Sequence, residues 1–326
     1  MILVIADSFD AHADLVENHL QQHGAEYVRL NLNVQALERT LITYSESDDS
    51  WEIEVDDITF STDEVSCVWA RRLTIEKSDL DACNSIGEEK AKLWIGEWTR
   101  ALHWLFYSLE DRAWLPPFRR AIRAEHKYLQ LRAAKRAGLQ TPPTLLSSHP
   151  DRVNDFASGQ RTALKSLSQD FYEFEGQKHG LFTNVLDESD FDEFSSDGEA
   201  PLFLQEYVPK AFEVRVTSIE RNHLACKIDS QANERTSVDW RRYNIPQTPH
   251  HAMELPSDIT SKLDRIMDIL ELNFGASDFI VSQSGGWYFL EINTNGQWLW
   301  IEQLTGLSIA KYIAEYLVRV SSNEAV

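Results

Sequence analysis

Three oxygen-bearing side chains near the C-terminus stand inside otherwise apolar segments. Asp278 interrupts Ala276–Val281, and Glu291 and Asn293 close Trp287–Asn293. Glu291 and Asn293 are two residues apart, so on a strand they face the same side. A lone carboxylate among apolar neighbours is costly unless it is paired or bound to a metal. Hard oxygen donors of this kind suit Mg²⁺, which keeps several waters and also binds substrate phosphates. Ser284-Gly285-Gly286 lies between the two segments and reads as a hairpin turn. Pairing the two strands would bring the three side chains together. The plainer reading is a polar, solvated sheet face. Guanidinium groups form the other chemically suggestive set. Arg71 and Arg72 offer adjacent forks of donors suited to carboxylates, although a surface or inter-domain salt bridge would use the same residues. No general base stands out. His250-His251 is the nearest candidate, on what reads as a loop.

The elements that must position these groups follow from hydrophobic periodicity. Ile2–Ala6 is a short apolar run suited to a strand buried on both faces, Ala11–His23 has helical spacing up to Gly24, and Tyr27–Leu30 completes a β-α-β unit. Trp51–Phe60 alternates apolar and acidic residues, as one half-buried antiparallel strand would. Val65–Ala70 is a further strand leading into Arg71-Arg72. Glu88–Leu109 is a long helix with Trp94, Trp98, Leu102, Leu105 and Leu109 on one face, a stripe that suits core or subunit contact.

Pro116-Pro117 marks a boundary. Beyond it the pattern predicts a helix over Ile122–Ala137 closed by Gly138, then strands at Thr144–Ser147, Arg161–Lys165, Leu202–Glu206, Phe212–Glu220 and His223–Asp229. A helix over Ile259–Leu272 follows, then the hairpin described above, and a closing helix over Gly306–Val318. Strands mixed with helices in this order predict an α/β (α+β) chain. Its domains are expected at residues 1–115, 116–205 and 206–326, since 326 residues exceed one small core.

Composition narrows the partners. The chain carries 31 Lys and Arg against 52 Asp and Glu, a formal net charge of −21. General nucleic-acid binding and a polybasic grip on lipid are therefore not expected. No apolar run is long enough to span a membrane, and the start has no basic region before an apolar one, so neither a membrane segment nor a signal peptide is expected. Cys67, Cys83 and Cys226 are too few and too far apart for a disulfide framework or a CxxC metal site. They suit reduced thiols in the cytoplasm. The acids are not evenly spread, because seven of them fall in Asp187–Glu199 with no base among them. Such a run is usually a solvated loop.

With Asp278, Glu291 and Asn293, several upstream residues fall in the order of a known signature. The set resembles the ATP-grasp ligases. The resemblance makes Asp278, Glu291 and Asn293 the metal ligands, and Lys127 and Lys165 the phosphate-contacting lysines. It makes Gln205–Val208 the adenine strand, with Glu206 and the backbone near Val208 reading the base. Glu213 would bind the ribose, and Arg215 would lie by the reacting phosphate and carboxylate. ATP and Mg²⁺ are the cofactors it implies, on a fold with an N-terminal pre-ATP-grasp domain and two α+β subdomains. Taken alone, each of these residues is more often an ordinary surface charge.

A narrower resemblance rests on Val68-Trp69-Ala70-Arg71-Arg72, and on Asn293-x-x-Gly296-Gln297-Trp298-x-Trp300-x-Glu302-x-x-Thr305-Gly306. These are similar to the graspetide synthetases, which mature ribosomal peptides. Over Ile2 to about Val318, the resemblance implies a homodimer acting on a precursor peptide of leader and core. Such an enzyme phosphorylates Asp or Glu side chains and closes esters with Ser or Thr, or amides with Lys. Asp187, Glu188, Asp190, Asp192 and Glu193 are then candidates for pairing with basic leader residues. Trp298 and Trp300 are candidate peptide surfaces. Two other classes share the fold: a ligase for a small amino-acid substrate of the glutathione-synthetase or RimK-like kind, and a non-catalytic nucleotide-binding module.

Overall fold

The computed structural model describes residues 1–75, 88–167, 171–174, 177–180, 183–191, 194, 200–232 and 248–322. The first part runs β1 (Ile2–Ala6), α1 (Ala11–Gln22), β2 (Tyr27–Asn31), α2 (Val34–Leu37), β3 (Leu41–Ser45), β4 (Ser50–Val55), β5 (Ile58–Ser61), β6 (Cys67–Ala70), α3 (Glu88–Ser108) and β7 (Ala113–Leu115). The middle part runs α4 (Phe118–Ala124), α5 (Lys127–Ala137), β8 (Thr144–Ser147), α6 (Pro150–Ala157), β9 (Thr162–Lys165), β10 (Phe171–Phe174), β11 (Gln177–Gly180), β12 (Asn184–Leu186) and β13 (Leu202–Glu206). The last part runs β14 (Lys210–Ile219), β15 (Asn222–Ile228), β16 (His250–Met253), α7 (Ser257–Leu270), β17 (Phe274–Ser282), β18 (Trp287–Asn293), α8 (Leu299–Thr305) and α9 (Ile309–Ser322).

Three of the sheets frame the molecule. The first is parallel, in the order β2-β1-β6-β7. Every residue of β1 is buried, as its unbroken apolar run requires. The second is antiparallel, in the order β12-β9-β13-β8, and the third, also antiparallel, in the order β16-β15-β14-β17-β18. Residues 207–209 link the second sheet to the third.

Several elements differ from the sequence expectation. Trp51–Phe60 is not one strand but the hairpin β4–β5, which turns at Asp56 with φ 51°. The alternation shifts phase at Asp56-Asp57, from Val55 to Ile58, and Ile53 pairs with Phe60 across the hairpin. The helix expected at Ile122–Ala137 is two helices broken at Glu125-His126. The chain leaves the helical path at His126, with φ −74° and ψ 112°, while Glu125 is still helical and its carboxylate accepts bonds from the Thr294 backbone N–H, at 2.7 Å, and from the Thr294 hydroxyl, at 2.5 Å. Gly306 does not open the last helix. It closes α8 in the left-handed conformation, with φ 73°, and α9 starts at Ile309.

The two faces of the third sheet carry different loads. On one face Val214, Val216, Phe279, Phe289 and Ile292 pack with Ala133, Ala134, Leu263 and Ile266 of α5 and α7. On the other, Leu224, Cys226, Ile228 and Phe274 join a core with Trp298, α9 and the β1–α1 unit. The C-terminal helix thus docks on the N-terminal domain. Phe279 is fully buried, edge-on to Phe289 at 5.6 Å and to Trp287 at 5.8 Å. Phe279→Ala should destabilise the protein by about 3–5 kcal/mol, read as a lower midpoint in urea denaturation.

Candidate active site

The polar groups sit on the second face of the third sheet, in one row across four strands. Cys226 pairs with Arg215, Arg215 with Asp278, and Asp278 with Glu291. A bulge makes this possible. Phe279 pairs with Phe289, but the next residue, Asp278, pairs with Glu291, so Leu290 is the extra residue. In an unbroken register Asp278 would face Leu290, and Glu291 would fall on the opposite face. The bulge turns Glu291 and Asn293 onto the side occupied by Asp278, Arg215 and Glu213.

Two carboxylates directly opposite one another repel. Here each has a cation. Arg215 Nη1 donates to Asp278 Oδ2 at 2.6 Å, and Lys127 Nζ to Glu291 Oε2 at 2.5 Å. The Asn293 amide donates to Glu291 Oε1 at 3.2 Å. Lys127 is the first residue of α5, so the break at Glu125-His126 puts it there. Buried Gln130, one turn on, fixes the helix to β18. Its amide nitrogen donates to the Ala124 and Ile292 carbonyls, and its oxygen accepts from Ile292 N–H. Sequence reasoning passed over both Gln130 and Glu125. A polar residue within the apolar stripe of α5 was the only signal for Gln130, and Glu125 gave none.

The loop after β18 covers Arg215. Arg215 Nη2 reaches the Gln297 carbonyl at 3.4 Å. A Cβ on Gly296 would lie 2.3 Å from Ala276 Cβ and 2.8 Å from Arg215 Nη2, so only glycine lets the loop approach this closely. Arg215 Nε is buried, with no hydrogen-bond partner among the described residues. That leaves one donor of the guanidinium for an anion.

Other predicted residues surround this row. Glu213, two residues before Arg215 on the same face, pairs with buried Lys210 at 2.6 Å. Lys210 was not anticipated. Glu206 ends β13 half-buried, its N–H bonded to the Pro143 carbonyl at 2.9 Å, and Val208 is buried in the link between the two sheets. Lys165 ends β9, half-buried and opposite Phe203.

The N-terminal domain approaches from the carboxyl ends of β1 and β6. That is the point where the strand order of a parallel sheet reverses and ligands commonly bind. Arg71 is buried there. Its Nε lies 3.3 Å from Asp10 Oδ2, and its Nη1 donates to Asn295 Oδ1 at 2.9 Å. The Asn295 amide returns a bond to the Arg71 carbonyl. Arg71 thus ties the domain to the loop over Arg215. Arg72 pairs with Asp7 and donates to the Thr74 carbonyl at 3.0 Å.

Some expectations need correction. Trp298 offers no peptide surface, because it is fully buried and edge-on to His12 at 4.7 Å. His250 and His251 are on strand β16, not a loop, two strands away from β14. His250 packs on Trp300 and has its pKa lowered by burial, and His251 lies 3.4 Å from Asp229. The described acids of the 187–199 run bond locally. Asp187 lies 3.5 Å from Arg161, Asp190 accepts from Asp187 N–H, and Glu188 caps the Ser158-Gly159 turn. Asp192 and Glu193, like Cys83, lie outside the described residues. Cys67 and Cys226 are buried, and burial raises the Cys226 pKa to about 12.

Among the described residues no three His, Cys, Asp or Glu side chains cluster as a metal site. The oxygen set here is two carboxylates and an amide. It fits a hard cation that completes its shell with water and phosphate oxygens, rather than a closed protein cage. Among the described residues no helix is long and apolar enough to cross a membrane.

Residues 1–121 match the family model of the MvdD pre-ATP grasp domain. The whole chain superposes on a RiPP-associated ATP-grasp ligase of Chryseobacterium gregarium, solved with ADP and a leader and core peptide. The TM-score is 0.86 at 27% identity, over 98% of this chain and 96% of the other. The chain is an ATP-grasp ligase, similar to graspetide synthetases. The ligase also matches macrocyclase MdnC of Microcystis aeruginosa, bound with precursor peptide MdnA, at TM-score 0.84 and 26% identity over 98% and 100% of the two chains. ATP-grasp ligase PsnB, complexed with a minimal precursor, Mg and ADP, shares the fold at TM-score 0.77 and 19% identity over 98% and 97%. No curated protein sequence matches the ligase.

Two outcomes follow from this geometry. Gly296→Ala should lower the rate of ATP turnover at least about tenfold and also lower the thermal midpoint, since the added Cβ runs into buried Ala276 and into Arg215. His12 has its pKa lowered from 6.5 to about 4 by burial and then by the charge of Arg71, with Asp10 opposing. The unfolded chain therefore binds more protons over that window, and stability is lost as pH falls from 6.5 towards 4. His12→Gln should flatten that part of the pH–stability curve relative to the parent, measured by denaturant titration at fixed pH values.

Proposed function

We propose that the ligase activates side-chain carboxylates of a ribosomal precursor peptide with ATP and closes intramolecular cross-links. A peptide carboxylate oxygen attacks the γ-phosphorus and ADP leaves. A Ser or Thr hydroxyl, or a Lys amine, then attacks the acyl carbon. Phosphate leaves, the hydroxyl or amine loses its proton, and an ester or amide remains. The observation that carries this reading is Arg215. It is a buried guanidinium held by Asp278, with an unused Nε donor, beneath a loop tied to the N-terminal domain. A donor held in that way stabilises the charge that develops on a phosphorylated carboxylate.

Asp278, Glu291 and Asn293 would hold Mg²⁺, which neutralises phosphate charge when bound. Lys127 and Lys165 would add positive charge at the phosphates, and Glu206, Val208 and Glu213 would seat the nucleoside. Arg71 has its donors engaged by Asp10 and Asn295, so its role in this reading is to position the Arg215 loop. Arg72 is paired with Asp7, and in this reading it would exchange that carboxylate for one of the substrate. The division into residues 1–115, 116–205 and 206–326 belongs to the same reading, with the cleft between the second and third sheets. So does a homodimer. Leu93, Trp104 and Tyr107 project exposed from α3 and would form its contact.

A ligase for a free amino acid is the second reading. The similarity to peptide-bound ligases over nearly the full chain favours the first. Arg215→Ala should abolish dehydration of the precursor in mass spectrometry while ATP binding persists. A variant that still dehydrates the peptide at the parental rate would remove Arg215 from the reaction. ADP release that depends on a free amino acid instead of a precursor would favour the second reading.

A further inference from the structure

Residues 118–137, which form α4 and α5, hold seven Lys and Arg against a single acid, Glu125, in a chain whose net charge is −21. Three of the seven are spent. Arg119 pairs with Glu110, Arg120 with Glu271 and Lys127 with Glu291. Arg123, Arg132, Lys135 and Arg136 are exposed and form no ion pair with any described residue. Arg123, Arg132 and Arg136 converge on a groove of about 120 Å³ between α4, α5 and the end of α7. The floor of the groove is Leu129, Ile269 and Leu270, all partly exposed. Arg132 and Arg136 are one turn apart, and the Tyr128 ring lies 5.5 Å under the Arg132 guanidinium.

Unpaired arginines around an apolar floor match an acidic peptide segment carrying an aliphatic or aromatic anchor. The acidity of the remaining surface repels such a segment elsewhere and so confines it here. The geometry points to this groove as a docking exosite for an acidic segment of the precursor, outside the reaction centre. This rests on the peptide-ligase reading. It assigns the acidic part of the substrate to α4–α5, separately from the acidic run at Asp187–Glu199.

The location fits a feeding role. Lys127, at the start of α5, touches the metal-binding carboxylate Glu291, and Arg136 is near the other end of the same helix. Nine residues separate them, or roughly 14 Å along the axis. An extended peptide covers that in about five residues, so a segment held in the groove keeps nearby side chains within reach of Arg215.

The test uses the full-length ligase and a fluorescein-labelled peptide of repeated Glu-Glu-Leu-Phe, followed by anisotropy. Arg123→Ala/Arg132→Ala/Arg136→Ala should weaken binding at least about tenfold at low salt, with the difference vanishing near 0.5 M salt. A charge-matched control, Arg39→Ala/Arg221→Ala/Lys311→Ala, should bind as the parent does. All six side chains are exposed, and thermal melts confirm folding. Equal affinity of triple variant and parent overturns the exosite. So does equal binding of the Gln-for-Glu peptide, or tighter binding of a single-stranded oligonucleotide of matched charge. A groove that joins two copies of the chain would show instead as a dimer-to-monomer change in sedimentation with peptide affinity unchanged, and that also overturns it. Precursor dehydration is followed in parallel. Dehydration by the parent with no groove effect rejects the exosite alone, whereas groove-dependent binding without any dehydration rejects the ligase reading alone.

Discussion

The polar row on the third sheet depends on holding two carboxylates side by side. Asp278 and Glu291 occupy one register position of an antiparallel pair, where like charges repel. The protein tolerates this because Arg215 and Lys127 bracket them from opposite sides. Each cation in turn needs its own placement. Arg215 is the cross-strand neighbour of Asp278, so strand pairing alone positions it. Lys127 comes from a helix more than 150 residues earlier, and it arrives only because α4 ends where it does.

That charge balance explains features which otherwise look local. Glu125, at the end of α4, binds the Thr294 backbone and hydroxyl, and Gln130 saturates the Ile292 backbone. Both tie α5 to the end of β18, so Lys127 and Glu291 move as a unit. On the other side the loop at Asn295–Gln297 is held by Arg71 from the N-terminal domain and packed on Ala276 through Gly296. A row of four side chains is thereby referenced to two domains.

Legibility differed between the fold and the site for a physical reason. The strands β1, β13 and β18 were readable to the residue, because burial on one or both faces dictates an apolar run of definite length. Gly138 was readable as a helix end, with φ 81°. The break inside Ile122–Ala137 was not. Its apolar spacing continues through the break, and the contact made beside it, between Glu125 and Thr294, spans 169 residues of sequence. The hairpin inside Trp51–Phe60 was signalled only by the phase shift between Val55 and Ile58 at Asp56-Asp57.

By itself the sequence determined the chemical inventory: the hard oxygen donors, the order of the basic residues around them, and a surface too acidic for a nucleic-acid binder. It also determined that Glu291 and Asn293 share a face, because strand periodicity is local. Tertiary structure decided that Asp278 joins them, since a single extra residue, Leu290, sets the side to which Glu291 turns. It decided as well that Trp298 is core rather than peptide surface, and that Arg71 is a strut while Arg123, Arg132 and Arg136 form no ion pair with any described residue. Pairing and burial are relations between distant segments, and a linear pattern of residue types carries no distance between them.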